Sequence, residues 1–137
     1  MQSRSDKTVI GWREYVDLPE WGVRRILAKI DTGARTSAIH VENVRHVAAG
    51  KVAFDVVRSR KDESKRTTVE ADIVRETHVR TSTGHGHDRI VVATTVRVGD
   101  HEKRVEVTLV SRQRMLCRML IGRTAIEGDF LVDVSLR

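Results

Sequence analysis

The residues with the clearest potential for chemistry are Asp31, Thr32 and Gly33, which directly follow an apolar segment. An aspartate at the end of a strand offers a carboxylate for acid–base chemistry. A threonine hydroxyl can donate and accept the hydrogen bonds that fix a turn, and a glycine lets backbone amides approach the carboxylate because it lacks a Cβ. Taken alone, the triplet favours an ordinary turn after a strand, so its meaning depends on the elements around it.

Strand patterns dominate the chain and would position this turn. An apolar strand over residues 23–30 runs straight into Asp31. Residues rich in β-branched or alternating apolar side chains predict two further strand pairs, 52–57 with 67–74 and 90–98 with 104–110. The one predicted helix is short and begins near Thr124. Many short strands separated by turns indicate an all-β barrel or sandwich.

The composition limits the class of protein. The chain has 137 residues, a formal charge of +6 and a pI of about 10.1, and we expect one domain over residues 8–137 after a disordered segment at 1–7. No apolar run could span a membrane. The absence of an export signal and the single Cys117 predict a cytoplasmic protein. The positive charge suits an acidic partner, but aromatic residues are only 4%, so no stacking platform for nucleic acid is evident.

A second motif lies about ninety residues after the first and gives the triplet its context. Four segments carry a resemblance: KIDTGARTSA (29–38), VEVTL (105–109), MLIGRTA (119–125) and FLVD (130–133). Together they resemble the retropepsin-like aspartic proteases, and most closely a small prokaryotic family described as ATP-dependent zinc proteases. That family accompanies ATP-grasp ligases that add glutamates to ribosomal protein tails. The resemblance implies an all-β acid-protease barrel with one short C-terminal helix, aspartic endopeptidase activity, a peptide substrate and an ATP-grasp ligase as a possible partner.

Aspartic-protease chemistry requires two carboxylates that share one proton. No other aspartate in the chain is followed by Thr-Gly or Ser-Gly, so a second Asp31 must come from a second copy of the chain. The resemblance therefore implies a homodimer with its active site on the two-fold axis, in which Asp31, Thr32 and Gly33 form the catalytic turn. A monomer is expected to be inactive.

Three residues near the turn are candidate substrate contacts: Ala34, Arg35 and Arg123. Ala34 cannot hydrogen-bond the carboxylate as a serine or threonine would, so we expect the paired carboxylates to work nearer neutral pH. The related proteases carry an acid at the position of Arg35, which pairs with the arginine equivalent to Arg123. Here Arg123 must find another acid, such as Glu127 or Asp133, or one or both arginines face the ligand. Arginine suits carboxylates, which predicts an acidic, glutamate-rich substrate; the alternative is that Arg35 pairs with a surface acid.

Neither a cofactor nor a metal is expected. The chain has no Walker loop and no His-Glu-x-x-His motif, and His85 and His87 are more typical of a solvated turn than of a metal site. Residues 78–92 predict a hairpin, and the flap that closes over substrate would lie at 82–87 or at 73–80. Two other functions remain open: a non-catalytic, peptide-binding dimer of the same fold, and a nucleic-acid-binding barrel. Both leave a complete Asp-Thr-Gly motif without a purpose.

Overall fold

The computed structural model describes residues 7–59, 65–80, 86–111 and 115–136. Some sequence predictions fall outside these ranges: the N-terminal segment apart from Lys7, and most of the hairpin tip at 82–87, including His85. Residues 58–66 carry no apolar side chain and predict a charged surface loop, whose middle also lies outside the described ranges. Within the described ranges, no helix is long and apolar enough to cross a membrane.

The described residues form eleven strands and one short α-helix. The strands are β1 (Thr8–Ile10), β2 (Arg13–Leu18), β3 (Val23–Ile30), β4 (Ser37–Ala48), β5 (Lys51–Val57), β6 (Arg66–Asp72), β7 (Arg75–Arg80), β8 (Gly86–Val98), β9 (His101–Val110), β10 (Met119–Ile121) and β11 (Phe130–Val132). The helix, α1, spans Arg123–Ile126.

Six of these strands close a barrel. Their order is β10-β3-β2-β8-β9-β4, and the pairing of β4 with β10 completes the ring. In strand β9, Val105, Val107 and Leu109 are buried in the core of the barrel, while the residues between them face outward. Closure leaves these strands without a free edge. The predicted all-β barrel with one short helix near the C-terminus is confirmed.

Strand β4 leaves the barrel and extends into a second layer. Its first residues pair with β9, whereas from Val41 onward it pairs with β5, which in turn pairs with β6. The change of partner coincides with a bulge at Asn43, which has a φ of 55°. The predicted pairing of residues 52–57 with 67–74 is confirmed, with β6 ending two residues earlier than expected.

The arms of the hairpin predicted over residues 78–92 are also confirmed. Strands β7 and β8 pair antiparallel, with His78 opposite Asp88, and Nδ1 of His78 lies 2.9 Å from a carboxylate oxygen of Asp88. The hairpin begins at Arg75, three residues earlier than the sequence indicated. Whether it acts as a flap stays a prediction.

Asp55, a buried carboxylate, ties β4, β5 and β6 together. Asn43 Nδ2 and Thr68 Oγ1 each donate a hydrogen bond of 2.8 Å to it. These two bonds, that from Asn43 first, hold the pKa of Asp55 below its usual value. Its charged form therefore contributes stability that is fully present above the unfolded-state pKa, about 3.9, and is lost as the pH falls through the lower folded-state pKa.

We expect Asp55→Asn to lower the free energy of unfolding by about 1–3 kcal/mol at pH 7, and by progressively less as the pH falls below about 4. Urea denaturation at several pH values measures this. The control is Asp72→Asn, in the same layer. The Asp72 side chain is 84% exposed and its contact with Lys51 is long, at 3.9 Å, so this substitution should change the free energy of unfolding little. Equal pH slopes for Asp55→Asn and wild type would contradict the role given to Asp55.

Candidate functional site

The Asp-Thr-Gly turn begins where β3 leaves the barrel. The Asp31 N–H donates to the carbonyl of Ile121 in β10 at 2.9 Å, and β10 runs parallel to β3 with Ile121 beside Ile30. The Gly33 N–H donates back to Asp31 Oδ1 at 3.0 Å. A Cβ on Gly33 would lie 3.3 Å from that same oxygen, so glycine keeps this approach uncrowded. The half-buried carboxylate is thus oriented by its own turn.

The Ile-Gly-Arg segment packs directly behind the turn. Gly122 is buried, and a Cβ on it would lie 2.5–2.9 Å from backbone atoms of Thr36. The Gly122 N–H donates to Ser37 Oγ at 3.1 Å. Beyond it, the N–H of Arg123 donates to the carbonyl of Ala34 at 2.7 Å. Because every contact involves backbone on at least one side, the start of α1 and the end of the turn form one rigid unit.

The side chain of Arg123 braces the turn. Its Nη1 donates to the carbonyls of Thr32 and Gly33, at 3.3 and 3.2 Å. In the described part of the chain it makes no ion pair with Glu127 or Asp133, the two acids suggested for it. The arginine is exposed as well as bonded to the turn, and its contact with a substrate stays a prediction.

Arg35 lies on the wall of a cleft beside the turn. The cleft has a volume of about 680 Å³. Its walls come from the turn, α1, β7 and β9, through Arg35, Thr36, Thr124, Arg75, Arg104 and Glu106. The backbone carbonyl of Arg35 accepts a hydrogen bond from Thr124. Its side chain has no acidic partner among the described residues, so the alternative of a surface ion pair is not supported there. Ala34 is half-buried and presents only a methyl group.

Three residues of this cleft were not singled out from the sequence: Arg75, Arg104 and Glu106. The strand pairings of β7 with β8 and of β8 with β9 bring them to the turn. The available signal was the outward-facing polar positions of β9, alternating with its buried valines. Which outward residues lie near the turn depends on barrel closure, which the sequence pattern does not specify.

Metal-ligating groups do not cluster in the described ranges, where no set of three or more His, Cys, Asp or Glu side chains could hold an ion. His46 pairs with Glu76, and His78 with Asp88. Burial raises the pKa of the Cys117 thiol, although Arg13 and Lys29 act in the opposite direction.

Comparison with known proteins places this site in context. The model of the RimB-like family, described as retropepsin-like aspartic endopeptidase RimB, matches residues 9–137. A crystal structure of a protein of unknown function from Legionella pneumophila superposes with a TM-score of 0.75 at 26% identity, covering 94% of this chain and 95% of that one. The match to the family model confirms the retropepsin-like family suggested by the four sequence segments.

Curated relatives carry a similar region within longer proteins. One from Shewanella halifaxensis, named a probable alpha-L-glutamate ligase, is 34% identical over 133 residues, which is 95% of this chain and 29% of the relative. A protein of the same name from Desulfotalea psychrophila is 30% identical over 134 residues, 96% of this chain and 29% of the relative. The chain thus spans less than a third of the length of these relatives. On the match of the family model over nearly its whole length, the chain belongs to the RimB-like family of retropepsin-like aspartic endopeptidases.

Proposed function

We propose that the chain is one half of a homodimeric aspartic endopeptidase in which two Asp31 carboxylates activate a water molecule. The observation that carries the proposal is the Asp31 carboxylate at the end of β3, oriented by the Gly33 N–H in a turn that β10 and α1 hold from behind. Thr32 and Gly33 shape that turn. The family description supports the reaction class.

The chemistry follows from two carboxylates that cannot both ionise at short separation. The ionised one takes a proton from water as the oxygen attacks the peptide carbonyl carbon. The protonated one gives its proton to the carbonyl oxygen, which leaves a neutral tetrahedral diol. Collapse of the diol returns the hydroxyl proton to a carboxylate, transfers a proton to the amide nitrogen and breaks the C–N bond. The shared proton is thereby restored.

The substrate proposed is an acidic, glutamate-rich peptide in the cytoplasm. Arg35 supports this, since it lines a cleft beside the turn and has no acidic partner in the described ranges. Longer relatives that contain a region like this chain are named probable alpha-L-glutamate ligases. A glutamate tail on a protein would then be the substrate, and the ATP-grasp ligase that adds it a partner. Ala34 and Arg123 complete the proposed substrate contacts.

A non-catalytic, peptide-binding dimer is the second candidate, because the fold and the cleft would serve binding equally well. Nucleic acid is the weaker alternative, and it would require binding that falls steeply with salt. Neither uses the carboxylate of Asp31. Dependence of a reaction on both copies of Asp31 therefore separates the proposed endopeptidase from both alternatives.

Subunit mixing tests the shared site. Wild type and Asp31→Asn chains, fully exchanged in equal amounts at constant total concentration, should retain about one quarter of the wild-type activity on a glutamate-rich peptide, because only wild-type pairs carry two carboxylates. Light scattering of the same samples should give the mass of a dimer. Retention of one half would mean that each chain works alone and would contradict the proposal. Mixing with Asp133→Asn chains controls for exchange itself and should leave the activity unchanged.

A further inference from the structure

The cleft beside Arg35 carries a net positive formal charge, although one acidic residue also lines it. Three arginines (Arg35, Arg75 and Arg104) and one glutamate (Glu106) line it, which gives a formal charge of +2. Guanidinium groups present a planar fork that matches a carboxylate. A cleft with this lining therefore attracts a carboxylate, and we call it the arginine cleft.

Two of the three arginines already contact an acid of the protein. Arg75 Nη1 lies 2.6 Å from a carboxylate oxygen of Glu106, inside the cleft. Arg104 Nη1 lies 2.8 and 2.9 Å from the two carboxylate oxygens of Glu20. The Thr95 hydroxyl and then Arg104 lower the pKa of Glu20, which keeps that acid ionised and Arg104 held. The unmatched positive charge of the cleft thus lies at Arg35, with Arg75 restrained by Glu106.

The cleft is fixed relative to the Asp31 turn. The carbonyl of Arg35 accepts a hydrogen bond from the N–H of Thr124 in α1. Arg75 lies on β7 and Arg104 on β9, and both strands pair with β8. Arg35 follows Asp31 by four positions in the chain, so their Cα atoms are at most about 14 Å apart. An extended peptide advances about 3.3 Å per residue. A side chain within about four residues of the cleaved bond can therefore reach the cleft.

We propose that the arginine cleft binds a substrate carboxylate, and that Glu106 limits its affinity by occupying Arg75. The inference rests on the proposed function and deepens it by naming the residues that select the substrate. Removing the charge of Glu106 would raise the formal charge of the cleft from +2 to +3 and release Arg75 toward the ligand. Removing Arg75 would lower both the charge and the number of donors.

The pairing of β8 with β9 offers a matched control. Arg97 and Glu102 form a second exposed arginine–glutamate pair, and neither lines the cleft. Arg97→Gln and Glu102→Gln change the net charge of the protein as Arg75→Gln and Glu106→Gln do. Any general attraction between a basic protein and an acidic peptide is therefore the same within each matched pair of variants.

The experiment measures fluorescence anisotropy of three labelled peptides with the full chain carrying Asp31→Asn, which binds without cleaving. One peptide contains glutamates and an amidated C-terminus, and one is its glutamine counterpart, also amidated. The third is the glutamine peptide with a free C-terminal carboxylate. We expect Arg75→Gln to weaken binding of the glutamate peptide about tenfold and Glu106→Gln to tighten it about three- to tenfold. The two control variants should stay within about twofold of the parent.

Each outcome decides the inference. The inference would be overturned if Arg75→Gln and Arg97→Gln had equal effects on peptide binding. It would also be overturned if Glu106→Gln tightened the binding of none of the three peptides. Selective effects on the glutamate peptide assign the cleft to an acidic side chain, whereas selective effects on the third peptide assign it to a terminal carboxylate. If Arg75→Gln fails to fold by circular dichroism, the tightening expected for Glu106→Gln, compared with Glu102→Gln, still decides. Because this assay needs no catalysis, failure of wild type to cleave any peptide would count against the proposed function and not against the cleft.

Discussion

Replacement of Asp31 by asparagine is expected to lower kcat/KM for an acidic peptide by about 10²–10⁴-fold or more, because asparagine can neither accept the proton from water nor share one with its partner. The fold should survive. The side-chain amide oxygen of the introduced asparagine has the shape needed to accept the Gly33 N–H that Asp31 Oδ1 accepts at 3.0 Å. Thermal unfolding should therefore change little while the activity disappears.

Asp133 provides the matched control for this substitution. Its Oδ1 accepts the N–H of Ser135, two residues on, at 2.9 Å, as Asp31 accepts that of Gly33. Asp133→Asn should keep full activity. Activity that persists in Asp31→Asn and vanishes with a chelator would replace the carboxylate mechanism by a metal-dependent one. No cleavage by wild type of acidic or neutral peptides would favour the peptide-binding dimer.

Gly122→Ala is expected to destabilise the protein by about 3 kcal/mol, or to prevent folding, since the added Cβ overpacks a buried contact. The Cβ would lie 2.5 Å from the Thr36 carbonyl oxygen and 2.6 Å from its carbon. Both are backbone atoms, and the hydrogen bonds of Arg123 and Thr124 to residues 34 and 35 prevent the two segments from separating. Urea denaturation followed by circular dichroism measures the loss.

Ser37→Ala separates the two effects that could act at Gly122. It removes the acceptor of the Gly122 N–H without adding an atom, and should cost about 1–3 kcal/mol. Gly122→Ala should exceed it, because the clash adds to any disturbance of the hydrogen bond. A Gly122→Ala protein as stable as wild type would show that the turn can move away from β10, and the rigid unit described above would be wrong.

The sequence predicted the elements that follow a simple periodic pattern. Strand β9 alternates buried valines with exposed polar residues, and its pairing with β8 was predicted on that basis. The turn at Asp31 and the Gly122 segment were predicted through their order along the chain and the family resemblance. Their contact requires a glycine, so the residue type itself carries the geometry.

Strand β4 shows what the pattern could not predict. After Val41 it carries mostly polar, exposed residues, and its bulge at Asn43 interrupts the alternation. Its pairing is determined by the strands beside it and not by its own side chains: residues 37–40 pair with β9, and the residues from Val41 onward pair with β5. An acidic partner was one of two alternatives for Arg123, and the structure shows backbone carbonyls as its acceptors instead, which no sequence pattern records.

One of those carbonyls couples Arg123 to Asp31 electrostatically. The carbonyl of Thr32, which accepts from Arg123 Nη1, belongs to the same peptide unit as the Gly33 N–H, which donates to Asp31 Oδ1. A cation at the oxygen end of a peptide group polarises it and makes its N–H a stronger donor, as in any chain of hydrogen bonds. The peptide group between Thr32 and Gly33 thus transmits the polarising effect of the Arg123 guanidinium to the carboxylate of Asp31. The two sequence motifs are therefore coupled through this shared peptide group, and a change of charge at Arg123 should alter the hydrogen bond to Asp31.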